Sequence, residues 1–166
     1  MTSIDQGNHY LKTVSLDYPI PELKAQLRFD PDPISRIYAA EALAKKGGLE
    51  ALKALATALK KDPFWGVRLE VAKNIGKVKL DQAFDALVVG LEDSDSRVRR
   101  ATVEALAQIK THASYKALKP IVEKGDASYQ VEAAAVKAIG SIVAGNLEEK
   151  PKETQIIKQL KSVLTD

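Results

Sequence analysis

VRLEVAKNIGKV (67–78) lies over VRRATVEALAQI (98–109) without a gap. Val67 falls on Val98, Val71 on Thr102, Ala72 on Val103, Ile75 on Leu106, Gly76 on Ala107 and Val78 on Ile109. Two further copies keep the register. SRIYAAEALAKK (35–46) places Arg36 on Arg68 and Leu43 on Ile75, and VEAAAVKAIGSI (131–142) places Val131 on Val98 and Ile139 on Leu106. The offsets, 32, 31 and 33 residues, define a period of the size found in stacked repeats.

Working outward, each copy is preceded by a second stretch with apolar residues at helical spacing. These are PELKAQLRF (21–29), LEALKALATALKK (49–61), LDQAFDALVVGLE (80–92) and ASYKALKPIVEK (113–124). KETQIIKQLKSVL (152–164) has the same character and no partner after it. The pattern predicts four helix pairs and one terminal helix. No single pair can bury its apolar side alone, so neighbouring pairs must share walls. The predicted fold is all-α: a right-handed α-solenoid of HEAT-like helix pairs, about four and a half repeats long, with the second helices on the inner surface.

Turn chemistry agrees with this division. Asp30, Asp62, Asp93 or Asp95, and Asp126 each stand just before a second helix, where a carboxylate can accept from free N–H groups. Pro63 is expected at a first helical position, Gly47-Gly48 and Gly125 at breaks, and Pro120 inside a helix that it kinks or shortens. The start differs. HYLKTVSLD (9–17) reads as a strand, and a lone strand has no partner in a helical stack. Residues 1–17 are therefore expected to be the remnant of a preceding β-domain or linker, with the repeat domain over 18–166.

Bulk composition narrows the function. The chain is 28% charged with a net charge of +3, a weak basic balance that disfavours a dedicated nucleic-acid binder. No apolar run approaches the ~18 residues of a membrane span, and MTSIDQGNHY has no signal-peptide pattern. No nucleic acid and no membrane are expected as partners. There is no cysteine, so no disulfide, thiolate metal site or cysteine nucleophile. Compartment stays open, with the cytoplasm favoured.

Two sets of residues stand out. Phe64 and the single tryptophan, Trp65, precede one second helix, and Tyr129 shares the register of Trp65 two copies later. Such rings either cap the seam between repeats or anchor another domain, since exposed aromatics mark interface hot spots. Arg36, Arg68 and Arg99 also share one register. They are expected to form a structural ladder, each guanidinium bonding a loop aspartate such as Asp62 or Asp93 across a seam. The competing reading is recognition of an anionic ligand on the inner surface.

Nothing points to catalysis in this chain. His9 and His112 have no second ligand at helical spacing, and H-E-x-x-H, a Gly-rich phosphate loop and G-x-S-x-G are absent. Glu148-Glu149 and Asp93-Asp95 are carboxylate pairs without a predicted pocket. No catalytic, cofactor-binding or metal-ligating residue is assigned.

The strings DPISRIYAAEALAKKGG, DPFWGVRLEVA, DSRVRRATVEALA and GDASYQVEAAAVKAIG together resemble the C-terminal HEAT-like region of bacterial M1-family zinc aminopeptidases, over roughly residues 18–142. IDQGNHYLKTVSLDYP looks like the last strand of the immunoglobulin-like domain that precedes that region. The resemblance implies a metallopeptidase whose zinc, H-E-x-x-H helix and amine-binding glutamates lie in an upstream catalytic domain; no position here matches those motifs. It implies a non-catalytic accessory domain that packs on the catalytic and β-domains of a parent chain and shapes access to the active site. The alternative is a stand-alone HEAT scaffold that binds other proteins on its inner surface. A third reading is a HEAT-like enzyme acting on DNA or a chromophore-bearing protein.

Overall fold

The computed structural model describes residues 17–146. The strand expected over 9–17 (all but its last residue) and the terminal helix expected over 152–164 lie outside them. Among the described residues there is no strand. Helices α1 (Ile20–Phe29) and α2 (Pro33–Lys46) form the first unit. Helices α3 (Gly48–Lys61) and α4 (Trp65–Ile75) form the second. The third is α5 (Ala83–Val88), continued by a 3-10 segment (Val89–Glu92), with α6 (Ser96–Ile109). The fourth is α7 (His112–Lys124) and α8, helical over 129–146.

The units are stacked, not wrapped round one centre. Helix α2 packs on α4 and α4 on α6, while α1 packs on α3, α3 on α5 and α5 on α7. Each unit supplies the same apolar positions to a continuous core. Leu23, Leu55, Leu87 and Leu118 come from first helices and are fully buried. Leu43, Ile75 and Leu106, at the equivalent place on second helices, are fully buried as well. Alanine fills the close contacts: Ala39, Ala40 and Ala72 are inaccessible to solvent. The fold is thus an α-solenoid of HEAT-like pairs.

Several local expectations are corrected. The third first helix does not run over 80–92; it starts at Ala83 and tightens to 3-10 geometry from Val89. The cause is Gly90, where an added Cβ would sit 2.2 Å from the Thr102 hydroxyl, so the backbone lies against α6. Pro63 is not a first helical residue, because α4 begins at Trp65 after the N-cap Phe64; that position is taken in the first unit by Pro33. Pro120 does not shorten α7, which is helical through it. The carbonyl of Lys116 loses its donor there, but Lys116 and Pro120 both face solvent. The glycines at the breaks behave as expected: Gly47, Gly48 and Gly125 have φ of 70°, 84° and 84°.

Candidate interaction surface

The aspartates before the second helices set the geometry of the site. Each of Asp30, Asp62, Asp93 and Asp126 accepts through Oδ1 from the backbone N–H two residues on, at Asp32, Phe64, Asp95 and Ser128, with N···O distances of 2.8 to 3.0 Å. These are side-chain turns that close the loop ahead of the helix. They are not the helix caps expected from the sequence, of which Asp95, the alternative to Asp93, alone is a cap. The capping side chains are Asp32 and Asp95, which accept from Ile34 and Arg97; Phe64 caps α4 with no side-chain bond. The upstream carboxylate is one peptide too far from the helix to reach its first turn.

Position leaves the other face of the Asp62, Asp93 and Asp126 carboxylates turned toward the preceding unit, where an arginine meets it. Arg36 donates Nε and Nη2 to Asp62 at 2.8 and 3.0 Å. Arg68 does the same to Asp93 at 2.8 and 3.1 Å, and Arg99 to Asp126 at 3.0 and 2.9 Å. The remaining Nη1 of each donates to a carbonyl in its own unit's loop, Asp30, Asp62 and Asp93 respectively. One planar fork therefore ties two consecutive loops. Donating hydrogen bonds to Asp62, Asp93 and Asp126 raises the affinity of Arg36, Arg68 and Arg99 for their protons. The Arg99 fork, in turn, holds the Asp126 carboxyl below the usual range. No buried side-chain polar atom among the described residues lacks a partner.

The ladder has two ends. At the first, Asp30 receives the Ser35 hydroxyl instead of a guanidinium. At the other, the register position of Arg36, Arg68 and Arg99 carries Glu132, whose Oε1 accepts the Asp126 N–H at 2.8 Å. A carboxylate cannot donate a fork, so no further rung leaves this unit.

Alongside the ladder runs an edge formed by the starts of the second helices. Phe64 and Trp65 meet at 5.6 Å between ring centroids, tilted by 54°. Gly66 leaves room for the Phe64 ring, since a Cβ there would lie 2.6 Å from it. Arg97 of the next unit lies over the Trp65 ring at 3.4 Å from its centroid and also forms a fork on Asp95 at 3.0 and 2.8 Å. That bond to Arg97, with its backbone N–H as a further donor, lowers the Asp95 carboxyl to about 2. Trp65 is thus held between the core and a cation, while Phe64 keeps 39% of its surface exposed.

Tyr129 occupies the Trp65 position two units on and is 81% exposed, but no ring contact joins it to Phe64 or Trp65. It lines instead a groove of about 440 Å³ together with Ala107, Ala133, Ala134 and Ala138. Sequence reasoning missed Arg97, which is one position off the Trp65 register and reaches the ring through its length. It also missed Phe29, 70% exposed at the end of α1 beside a groove of about 590 Å³ that borders Lys24, Thr57 and Lys61. The available signal was that Phe29 is out of phase with Leu23 and Leu27. His112 is exposed and stacks on Tyr115 at 6.2 Å. Among the described residues no three His, Cys, Asp or Glu side chains are grouped to hold a metal, and no helix is long and apolar enough to cross a membrane.

A family model for HEAT repeats matches residues 20–88 and again residues 52–140. The solved structure of human deoxyhypusine hydroxylase in complex with glycerol is similar, with a TM-score of 0.67 and 26% identity, over 76% of this chain and 44% of that chain. The chain thus spans less than half the length of that hydroxylase. No curated protein sequence matches it.

Proposed function

Because the chain belongs to the HEAT-repeat family, we propose that it is a non-catalytic docking scaffold, and that it serves as the C-terminal accessory domain of an M1-type zinc aminopeptidase. The observation that carries the scaffold reading is the edge at Phe64, Trp65 and Arg97. Its charges are matched internally, with Arg97 over the Trp65 ring and bonded to Asp95, and the half-exposed Phe64 ring beside them offers the apolar area of a contact surface. The finer reading rests on the DPFWGVRLEVA string that contains this edge and resembles that enzyme family.

In this reading the zinc belongs to the catalytic domain. The donors here do not fit it: Asp62, Asp93 and Asp126 are each closed by an arginine fork. The human hydroxylase contributes its fold to this reading and none of its activity.

The single tryptophan supplies the test. Titrating the chain with the catalytic domain encoded upstream in its reading frame is expected to change Trp65 emission, and Phe64→Ala to weaken the complex. A reading frame without H-E-x-x-H upstream overturns the aminopeptidase assignment and leaves a stand-alone scaffold. Zinc-dependent release of amino acids by the purified chain overturns both.

A further inference from the structure

The repeat register exposes a mismatch at the last described unit. On the second helices, Ala40, Ala72 and Val103 occupy one position and are fully buried, because the following unit covers them. The fourth member is Val136, 58% exposed. On the first helices, Leu27 and Leu59 occupy one position and are buried, and Leu91 is packed against the core. The fourth member there is Val122, 41% exposed. Val143, further along α8, is exposed too. The fourth unit therefore presents an apolar end wall at register positions that are covered in the other three units.

We propose that this wall is the docking surface for the chain's own residues 152–164, which supply the first helix of a fifth unit. Three observations select this occupant. Helix α8 is helical to residue 146 beside the wall, and the five residues 147–151 are an ordinary length for a connection between packed helices. In KETQIIKQLKSVL, Ile156, Ile157, Leu160, Val163 and Leu164 recur at the spacing of one helical face. The apolar pair at four-residue spacing on each first helix, Leu23 with Leu27 and Leu55 with Leu59, has a counterpart in Ile156 and Leu160.

This seam differs from the other three. Glu132 stands where the arginine rung would be, so no fork crosses to the fifth unit.

The chain contains no cysteine, so single thiols can be placed as probes. In the full chain, Val136→Cys and, separately, Val122→Cys are labelled with a maleimide, with Tyr129→Cys as the exposed control. Both wall thiols are expected to react at least about tenfold more slowly than the control, because labelling must wait for local opening. Adding Ile157→Asp and Leu160→Asp is expected to bring them to the control rate while Trp65 emission, a report from the second unit, stays unchanged. Wall thiols as reactive as the control in the parent chain overturn the proposal. So does protection that rises with protein concentration alongside a dimer in light scattering, since a second copy then covers the wall. Either result leaves the edge at Phe64 and Trp65, and the reading built on it, untouched.

Discussion

Arg36, Arg68 and Arg99 each do what a lysine could not. The three nitrogens of a guanidinium lie in one plane, so two can donate to a carboxylate while the third donates to a carbonyl of the home loop. The Arg36 and Asp62 side chains are almost completely buried, so removing either leaves the other charge unpaired in a poorly solvated place. Arg36→Ala is expected to cost about 3 kcal/mol in urea unfolding, within the range for breaking buried pairs. Arg36→Lys recovers only part of it, and a double-mutant cycle with Asp62→Ala gives a favourable coupling; additive single effects refute the rung. Acid should act on the carboxylates. Asp95 and Asp126 have lowered pKa values in the folded chain, so they bind protons less readily than in the unfolded chain. Their contribution is complete above the ordinary value of 3.8 and disappears as pH falls; for Asp95 the window closes near 2. Asp95→Asn is expected to flatten the stability curve across that window, measured by urea midpoints at successive pH values. The register of the arginines was legible because a period near 32 residues sets equivalent side chains on one line. The Trp65–Arg97 contact was not, because it joins neighbouring register positions and depends on side-chain reach.

Helices with an apolar residue at every third or fourth place were legible as elements, and α3, α6 and α7 sit within a few residues of where their patterns put them. Segment 80–92 carries a similar pattern yet ends in 3-10 geometry, because a contact with Thr102 of α6 decides its shape and no local propensity reports that contact. Gly90→Ala is expected to destabilise the chain by about 1–3 kcal/mol as an overpacking change; a neutral result in thermal unfolding would show that the two helices can separate freely. The end of α6 carries the opposite opportunity. Lys110 closes it with φ 55°, in the left-handed region, where a side chain costs free energy that glycine avoids. Lys110→Gly should therefore stabilise by up to about 1 kcal/mol, read as a rise of a few degrees in Tm. No rise would mean that the Lys110 side chain makes good the backbone strain.

At the scale of the molecule, four repeats near 32 residues made the stack legible, while the ends were harder to read because terminal units depart from the repeat. Glu132 in place of an arginine and Ser35 serving Asp30 are such departures. In a stack, stability is the sum of each unit's own free energy and the interfaces between neighbours, and cooperativity lives in the interfaces. The interface between the second and third units includes a close backbone approach: a Cβ on Gly76 of the α4 end would stand 2.9 Å from the Ala105 Cβ and 3.2 Å from its Cα. A larger residue there meets the buried Ala105 and must push α4 and α6 apart. Gly76→Val is therefore expected to divide the molecule into two separately melting halves. Trp65 emission and far-ultraviolet circular dichroism, which coincide in the parent chain, should then give different urea midpoints. Gly140→Val is the control, since a Cβ at Gly140 meets nothing within 4 Å among the described residues and the change should leave the two probes coincident. Coincident curves for Gly76→Val, with only a lower midpoint, would instead place the cooperativity of that seam in the Arg68 rung, which crosses it at the other end of α4.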